Sequence, residues 1–106
     1  MATKQQFQSF EDLLAGAEAP VLVDFYATWC GPCQMMAGIL STVSSQLKGQ
    51  LKIVKIDTDK YPQIASQHQI AALPTLVLFK AGQPVDRIEG VVPADQIGRA
   101  SCRERV

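Results

Sequence analysis

The sequence carries no excess of charge: ten basic residues balance ten acidic ones, so no basic field exists to hold nucleic acid or an anionic membrane. Long apolar runs are also missing. None approaches the roughly 20 residues that span a bilayer, and the start, MATKQQFQSFEDLL, lacks the apolar h-region of a signal peptide. Together these absences predict no nucleic-acid partner, no membrane partner, and residence in the compartment of synthesis, the cytoplasm, or a plastid stroma where a transit peptide has been removed. Cysteine is scarce. Three residues, two of them in one CxxC and one at position 102, do not form the even-numbered framework of a secreted disulfide scaffold, and a reducing compartment fits better. Repeats, low-complexity tracts and linkers are absent too, and 106 residues are the size of one domain. A single domain over 1–106 with one active region is the expectation.

What is present is an alternation of strand-like and helix-like segments. PVLVDFYA is an apolar run of strand length broken by one acid, as in a strand covered on both faces. LKIVKIDTD and TLVLFK read as two more strands. PVDRIEG, after the turn-like KAGQ, reads as a fourth and as the second arm of an antiparallel hairpin. Ser9 with Asp12 resembles a capping box opening FEDLLAGA. Met36, Ile39, Leu40, Val43 and Leu47 fall at helical spacing, with Gly49 as the stop. YPQIASQH is a short helix with Pro62 in its first turn. The expected class is α/β, a mixed central sheet between helices. At the end, PADQIGRASCRERV starts like a helix at Pro93, but Gly98 interrupts it. Ala100 and Ser101 stand where a docking face should continue, so a weakly held helix is expected, and SCRERV reads as a disordered or non-native tail.

The chemistry concentrates in FYATWCGPCQMMAGIL. Cys30 and Cys33 lie three apart at a strand-to-helix junction, close enough to close a disulfide. Gly31 permits the tight approach, and Pro32 near a helix start forfeits no needed hydrogen bond. At the helix N-terminus Cys30 is favoured as a thiolate, so its pKa should fall, while Cys33, one turn in, is more shielded. A purely structural staple gains little from so short a ring. A zinc site wants four ligands, and the chain offers only Cys102 and His68 besides the pair. His68 reads as an exposed helix-end residue. The redox reading is the strongest of the three, and no metal is expected.

With these residues in view, WCGPC at 29 to 33, preceded by VDFYAT, resembles the thioredoxin family. So do Asp24 in LVDFYA, Lys55 in IVKIDTD, LPTLVLFKAG around Pro74, and Gly90 in EGVV. The resemblance runs from about Phe7 to about Ile97. It implies the thioredoxin fold with a cis peptide before Pro74, dithiol–disulfide exchange, and no cofactor beyond the redox-active pair. Two departures stand out. Gly38 replaces the proline that often kinks the helix after the second cysteine, where the bend is expected to persist in a less stable helix. The final helix is shorter than the family's usual one.

By the same resemblance, Cys30 attacks a target disulfide and Cys33 resolves the mixed disulfide. Asp24 is the candidate acid/base and Lys55 the partner that tunes it, the alternative being a buried acid paired with Lys55 for structural reasons only. Trp29, Gly31 and Pro32 form one side of the substrate surface. Ala71, Ala72, Leu73, Pro74, Gly90 and Val91 form the other, where an extended segment could add as a strand. The implied activity is a protein-disulfide reductase serving disulfide-containing targets, recharged by an NADPH- or ferredoxin-linked reductase and acting as a monomer. An oxidant or isomerase and a cysteine-independent binding module are the competing readings. Cys102 reads as a free thiol on a mobile tail.

Overall fold

Two segments, VLVDFY and TLVLFK, are apolar at nearly every position, and a strand of that kind can only lie where both its faces are covered. The computed structural model describes the backbone of residues 4–105 and the side chains of residues 9–104. In chain order it contains α1 (Lys4–Gly16), β1 (Val21–Tyr26), α2 (Gly31–Gln46), β2 (Lys52–Asp57), α3 (Pro62–Gln67), β3 (Thr75–Lys80), β4 (Gln83–Glu89) and α4 (Ala94–Arg105). The strands form one sheet in the order β2-β1-β3-β4. The two apolar segments are its central strands, β1 and β3, and the half-exposed β2 and β4 are its edges. β1 pairs parallel with β2, and the remaining neighbours pair antiparallel. The sheet is mixed, as expected, because the parallel pair needs a crossover, which α2 supplies, whereas β3 and β4 need only a hairpin.

Side chains alternate across the sheet and divide the core into two layers. Val21, Val23 and Phe25 of β1 join Val77 and Phe79 of β3 against Phe10 and Leu14 of α1 and Ile64 of α3. Leu22, Leu76 and Leu78 face the opposite way, onto Met36, Leu40 and Val43 of α2 and Ile97 of α4. Each fully buried aliphatic or aromatic side chain here contributes about 1.5–3 kcal/mol. The hairpin between β3 and β4 turns through Ala81 at φ 53° and Gly82 at φ 82°, the left-handed pair whose twist matches that of the strands. A side chain on Gly82 would also meet the Ala15 backbone at 3.3 Å.

Five expectations are corrected. α1 begins at Lys4, so Ser9 lies inside it and does not cap it; the lysine and glutamines ahead of Ser9 are good helix formers, and neither glycine nor proline stops them. α2 ends at Gln46 with Leu47 as its cap, ahead of Gly49, which takes φ 83° in the turn that follows. α4 runs unbroken through Gly98 to Arg105, because one glycine costs about 1 kcal/mol and the docking face exists after all. Ile97, Ala100 and Ser101 are all buried, the small pair letting the helix sit close on the sheet. Cys102 is an exposed free thiol on this helix, not on a mobile tail. Finally, His68 is half-buried rather than exposed. Its ring lies 5.8, 5.8 and 5.3 Å from those of Phe10, Phe25 and Phe79, and Nε2 is buried with no hydrogen-bond partner. Burial lowers the His68 pKa, Glu11 opposes that shift and Arg87 adds to it.

The buried Ser101 hydroxyl also has no partner. It borders a void too small for water, lined among others by Leu22, Leu76, Leu78 and Ile97. Removing an unsatisfied buried hydroxyl recovers its desolvation cost, so Ser101→Ala is expected to stabilise the fold by about 1 kcal/mol. Denaturant titration reads this directly: the midpoint should rise at an unchanged slope, and an unchanged or lower midpoint would show that the hydroxyl is satisfied in solution.

Candidate active site

β1 leaves the sheet at Tyr26 and turns at once into α2, and that turn carries the cysteines. The Cys30 N–H donates to the Ala27 carbonyl at 3.2 Å, and Cys30 takes the extended conformation (φ −88°, ψ 114°) of an N-cap. Gly31 and Pro32 open the helix, where a missing N–H is harmless. The Cys33 N–H donates to Cys30 Sγ at 3.2 Å, so the sulfur occupies the position of the oxygen in an ordinary cap. Nothing better placed exists for holding a thiolate: a free helical N–H points at the sulfur and the dipole favours negative charge. The two cysteines are joined as a disulfide across a Cα–Cα distance of 5.3 Å.

Both sulfurs are nearly covered, Cys30 at 5 % and Cys33 at 4 % exposure, so burial alone does not distinguish them. Access does. A groove of about 480 Å³ is lined by Trp29, Cys30, Gly31, Pro32, Thr58, Ile70, Ala71 and Leu73; Cys33 is not on its wall and packs behind, with Ala27, Tyr26 and Leu73. Cys30 stands at the groove and Cys33 behind it.

Trp29 is 71 % exposed, yet its indole N–H donates to Asp59 Oδ2 at 2.7 Å. Asp59 sits in a turn fixed by Asp57, whose Oδ1 accepts from the N–H groups of Asp59 and Lys60 at 2.9 and 3.3 Å. Thr58 ties the same turn to the strand end before the cysteines through two bonds to the Tyr26 carbonyl. Across the groove, the Leu73–Pro74 peptide is cis. The Thr75 hydroxyl donates to Ala72 O at 2.7 Å, and the Gly90 N–H donates to Pro74 O at 2.9 Å. Of the expected surface, Trp29, Gly31, Pro32, Ala71 and Leu73 line the groove. Ala72, Pro74, Gly90 and Val91 stand on its flank, with Pro74 buried. Thr58, Ile70 and Asp59 were missed, although the DTD after a strand carries the sequence signal of an Asx turn.

Asp24 lies in β1 at 1 % exposure, and its Oδ1 has no hydrogen-bond partner. It shares with Leu22 the face that meets α2, the helix whose first turn holds Cys33. Desolvation raises its pKa from 3.8 to about 6, and the charge of Lys55 pulls weakly the other way. Lys55 is its direct neighbour in the parallel ladder, but it is exposed and makes no ion pair with Asp24 among the described residues. Among the described residues, no group of three or more His, Cys, Asp or Glu side chains converges on a metal position.

The comparisons with known proteins agree with this geometry. A family model described as Thioredoxin matches residues 1–101. A thioredoxin-like protein of Synechocystis is 67 % identical over 97 residues, covering 92 % of this chain and 92 % of that protein. Thioredoxin Y1, chloroplastic, of Arabidopsis thaliana is 59 % identical over 96 residues; the match covers 91 % of this chain but only 56 % of that longer protein. Among solved structures, a thioredoxin of Nicotiana alata superposes with a TM-score of 0.86 at 30 % identity, over 98 % of this chain and 89 % of that one. A cysteine pair closing at a helix N-terminus beside a cis-proline loop, on a chain so similar to these, is a dithiol–disulfide exchange centre, and the chain belongs to the thioredoxin family of thiol–disulfide oxidoreductases.

Proposed function

We propose that Cys30 is the attacking thiolate and Cys33 the resolving thiol of a protein-disulfide reductase. The observation that carries this is that Cys30 lines the groove, as Cys33 does not, with the Cys33 N–H aimed at Cys30 Sγ. In the dithiol form, Cys30 attacks one sulfur of a target disulfide; that S–S bond breaks, a mixed disulfide forms, and the other target sulfur leaves as a thiolate and takes a proton. Cys33 then loses its proton and attacks Cys30 Sγ. The 30–33 disulfide forms, the target leaves with both cysteines reduced, and two electrons have passed to it.

The proton from Cys33 needs an acceptor inside the fold. Asp24 supports that role because its desolvated carboxyl titrates at about 6, near enough to neutrality to take a proton and return it. It acts on the α2 side, through water where it does not reach directly, with the Lys55 field holding the carboxylate form accessible. On the substrate side, Trp29, Gly31 and Pro32 face Ala71, Ala72, Leu73 and Pro74, with Gly90 and Val91 extending the flank. This small-residue surface suits an extended target segment laid beside Leu73.

Family members work with disulfide targets and a thioredoxin reductase. For this chain the reading extends to a monomer that draws electrons from an NADPH- or ferredoxin-linked reductase in a cyanobacterial type of cytoplasm or in a plastid stroma.

Two experiments test these assignments. Cys33→Ser should trap the mixed disulfide with a target while Cys30→Ser forms none; intact mass spectrometry distinguishes them, and trapping through Cys33 would reverse the roles. Asp24→Asn should slow resolution of the mixed disulfide by roughly 10-fold or more at pH 7. The same variant changes stability. The folded carboxyl keeps a proton between pH 3.8 and about 6 that the unfolded chain has lost, so stability falls as pH rises through that window. Asparagine should remove this fall and gain up to about 3 kcal/mol at pH 7. Wild-type resolution kinetics together with the stability gain would make Asp24 a structural acid only.

A further inference from the structure

α2 buries Cys33, Met36, Leu40 and Val43, a spacing that uses one face of the helix. Met35 is not on it. At 64 % exposure it is one of four large hydrophobic residues left in solvent among the described residues, with Trp29, Val85 and Val91. Scattered singly, such residues need no explanation, and Val85 on β4 is of that kind, but the other three are not scattered. Trp29 lines the Cys30 groove, Val91 follows Gly90 on the Pro74 flank, and Met35 stands one turn beyond Gly31 on α2.

The helix geometry makes that last placement specific. Residues i and i+4 share a face, and helical side chains lean toward the N-terminus, so Met35 stands on the same side of α2 as Gly31, one turn along it. Gly31 itself contributes no side chain, and nothing lies within 4 Å of the point where its Cβ would be. Gly31 therefore leaves open space beside Cys30, next to Trp29 and Pro32 of the groove wall, and Met35 follows one turn along α2. Met35 does not line the groove itself; it lies where a chain seated in the groove would continue along α2. The helix GPCQMMAGILSTVSSQ has neither an acidic nor a basic residue, so this wall selects for apolar contact and not for charge. Methionine, unbranched and polarizable, adapts to side chains of different shape.

We propose that Met35 is a specificity-determining residue: it receives an apolar side chain that flanks the disulfide cysteine of a target polypeptide, lodged over Gly31 on the α2 side of the groove. The inference rests on the groove being the target surface, as read above. Partial burial of one such side chain against a thioether corresponds to about 3- to 10-fold in affinity.

The test uses the reduced protein and a set of peptide disulfides in which one leucine is moved through three positions on each side of the cysteine, serine filling the others. Stopped-flow fluorescence of Trp29 gives the half-saturating concentration and the limiting rate for each peptide. One leucine position should bind several-fold more tightly than the rest. Met35→Gln, nearly isosteric but polar, should raise the half-saturating concentration about 3- to 10-fold for that peptide alone, at an unchanged limiting rate, and Met35→Leu should keep the wild-type preference. No leucine position that depends on Met35, or an equal loss for every peptide, would overturn the proposal. Ala71→Glu, on the opposite wall, separates the two readings. If it weakens all peptides and Met35→Gln weakens none, the groove stands and the Met35 assignment falls; if it weakens none, the groove itself is not the target surface and both fall.

Discussion

Burial of β1 on both faces is the constraint from which the rest of the site follows. The strand is central, with β2 on one side and β3 on the other, and a helical layer covers each face. Its direction and depth are therefore fixed to within the packing of several aliphatic side chains, and the turn at its end inherits that rigidity. Cys30 caps α2 at that turn, which gives the sulfur its N–H donor and its place on the groove. The same burial removes water from Asp24, and desolvation is the larger cause of its raised pKa. One packing arrangement thus sets the surroundings of both Cys30 and Asp24.

The fold holds two desolvated titratable groups of opposite sign, one buried and one half-buried. Asp24 is held toward its protonated form and His68 toward its neutral form, each mainly by desolvation. As pH falls, protonating Asp24 favours the folded state and protonating His68 opposes it. The two lie on opposite faces of the sheet: Asp24 shares a face with Leu22 toward α2, while His68 sits among Phe10, Phe25 and Phe79. They partly offset one another in acid.

Much of this was legible in the sequence because it rests on short-range pattern. The apolar run around Val23, broken only by Asp24, announced a covered strand, TLVLFK announced another strand, the run from Met36 to Val43 announced a helix face, and CGPC at the strand-to-helix junction announced the chemistry. Apart from the ends of α1 and α2, the errors share a physical origin, in that they concern tertiary contacts which pattern does not encode. Ala100 and Ser101 looked too small to dock a helix, yet small residues are what allow α4 to approach the sheet. His68 looked like a polar helix end, yet three phenylalanines distant in sequence close around it. Asp59 carried no motif of its own and acquires its role by accepting from Trp29 across 30 positions of chain. The equal burial of Cys30 and Cys33 was likewise invisible; the sequence suggested a difference in shielding, and the structure places the difference in which sulfur faces the groove.

The central claim is that this turn holds a reducing dithiol whose thiolate is stabilised by the α2 N-terminus. Its most direct test is the equilibrium reduction potential of the Cys30–Cys33 pair, titrated in thiol–disulfide buffers and followed by the fluorescence of Trp29 beside it. Thioredoxin itself stands at about −270 mV, and isomerase and oxidant relatives at about −180 and −120 mV. A value near the first is the result expected of a protein that pushes electrons into its targets. A value near either of the others would contradict the account and make this chain a donor or shuffler of disulfides.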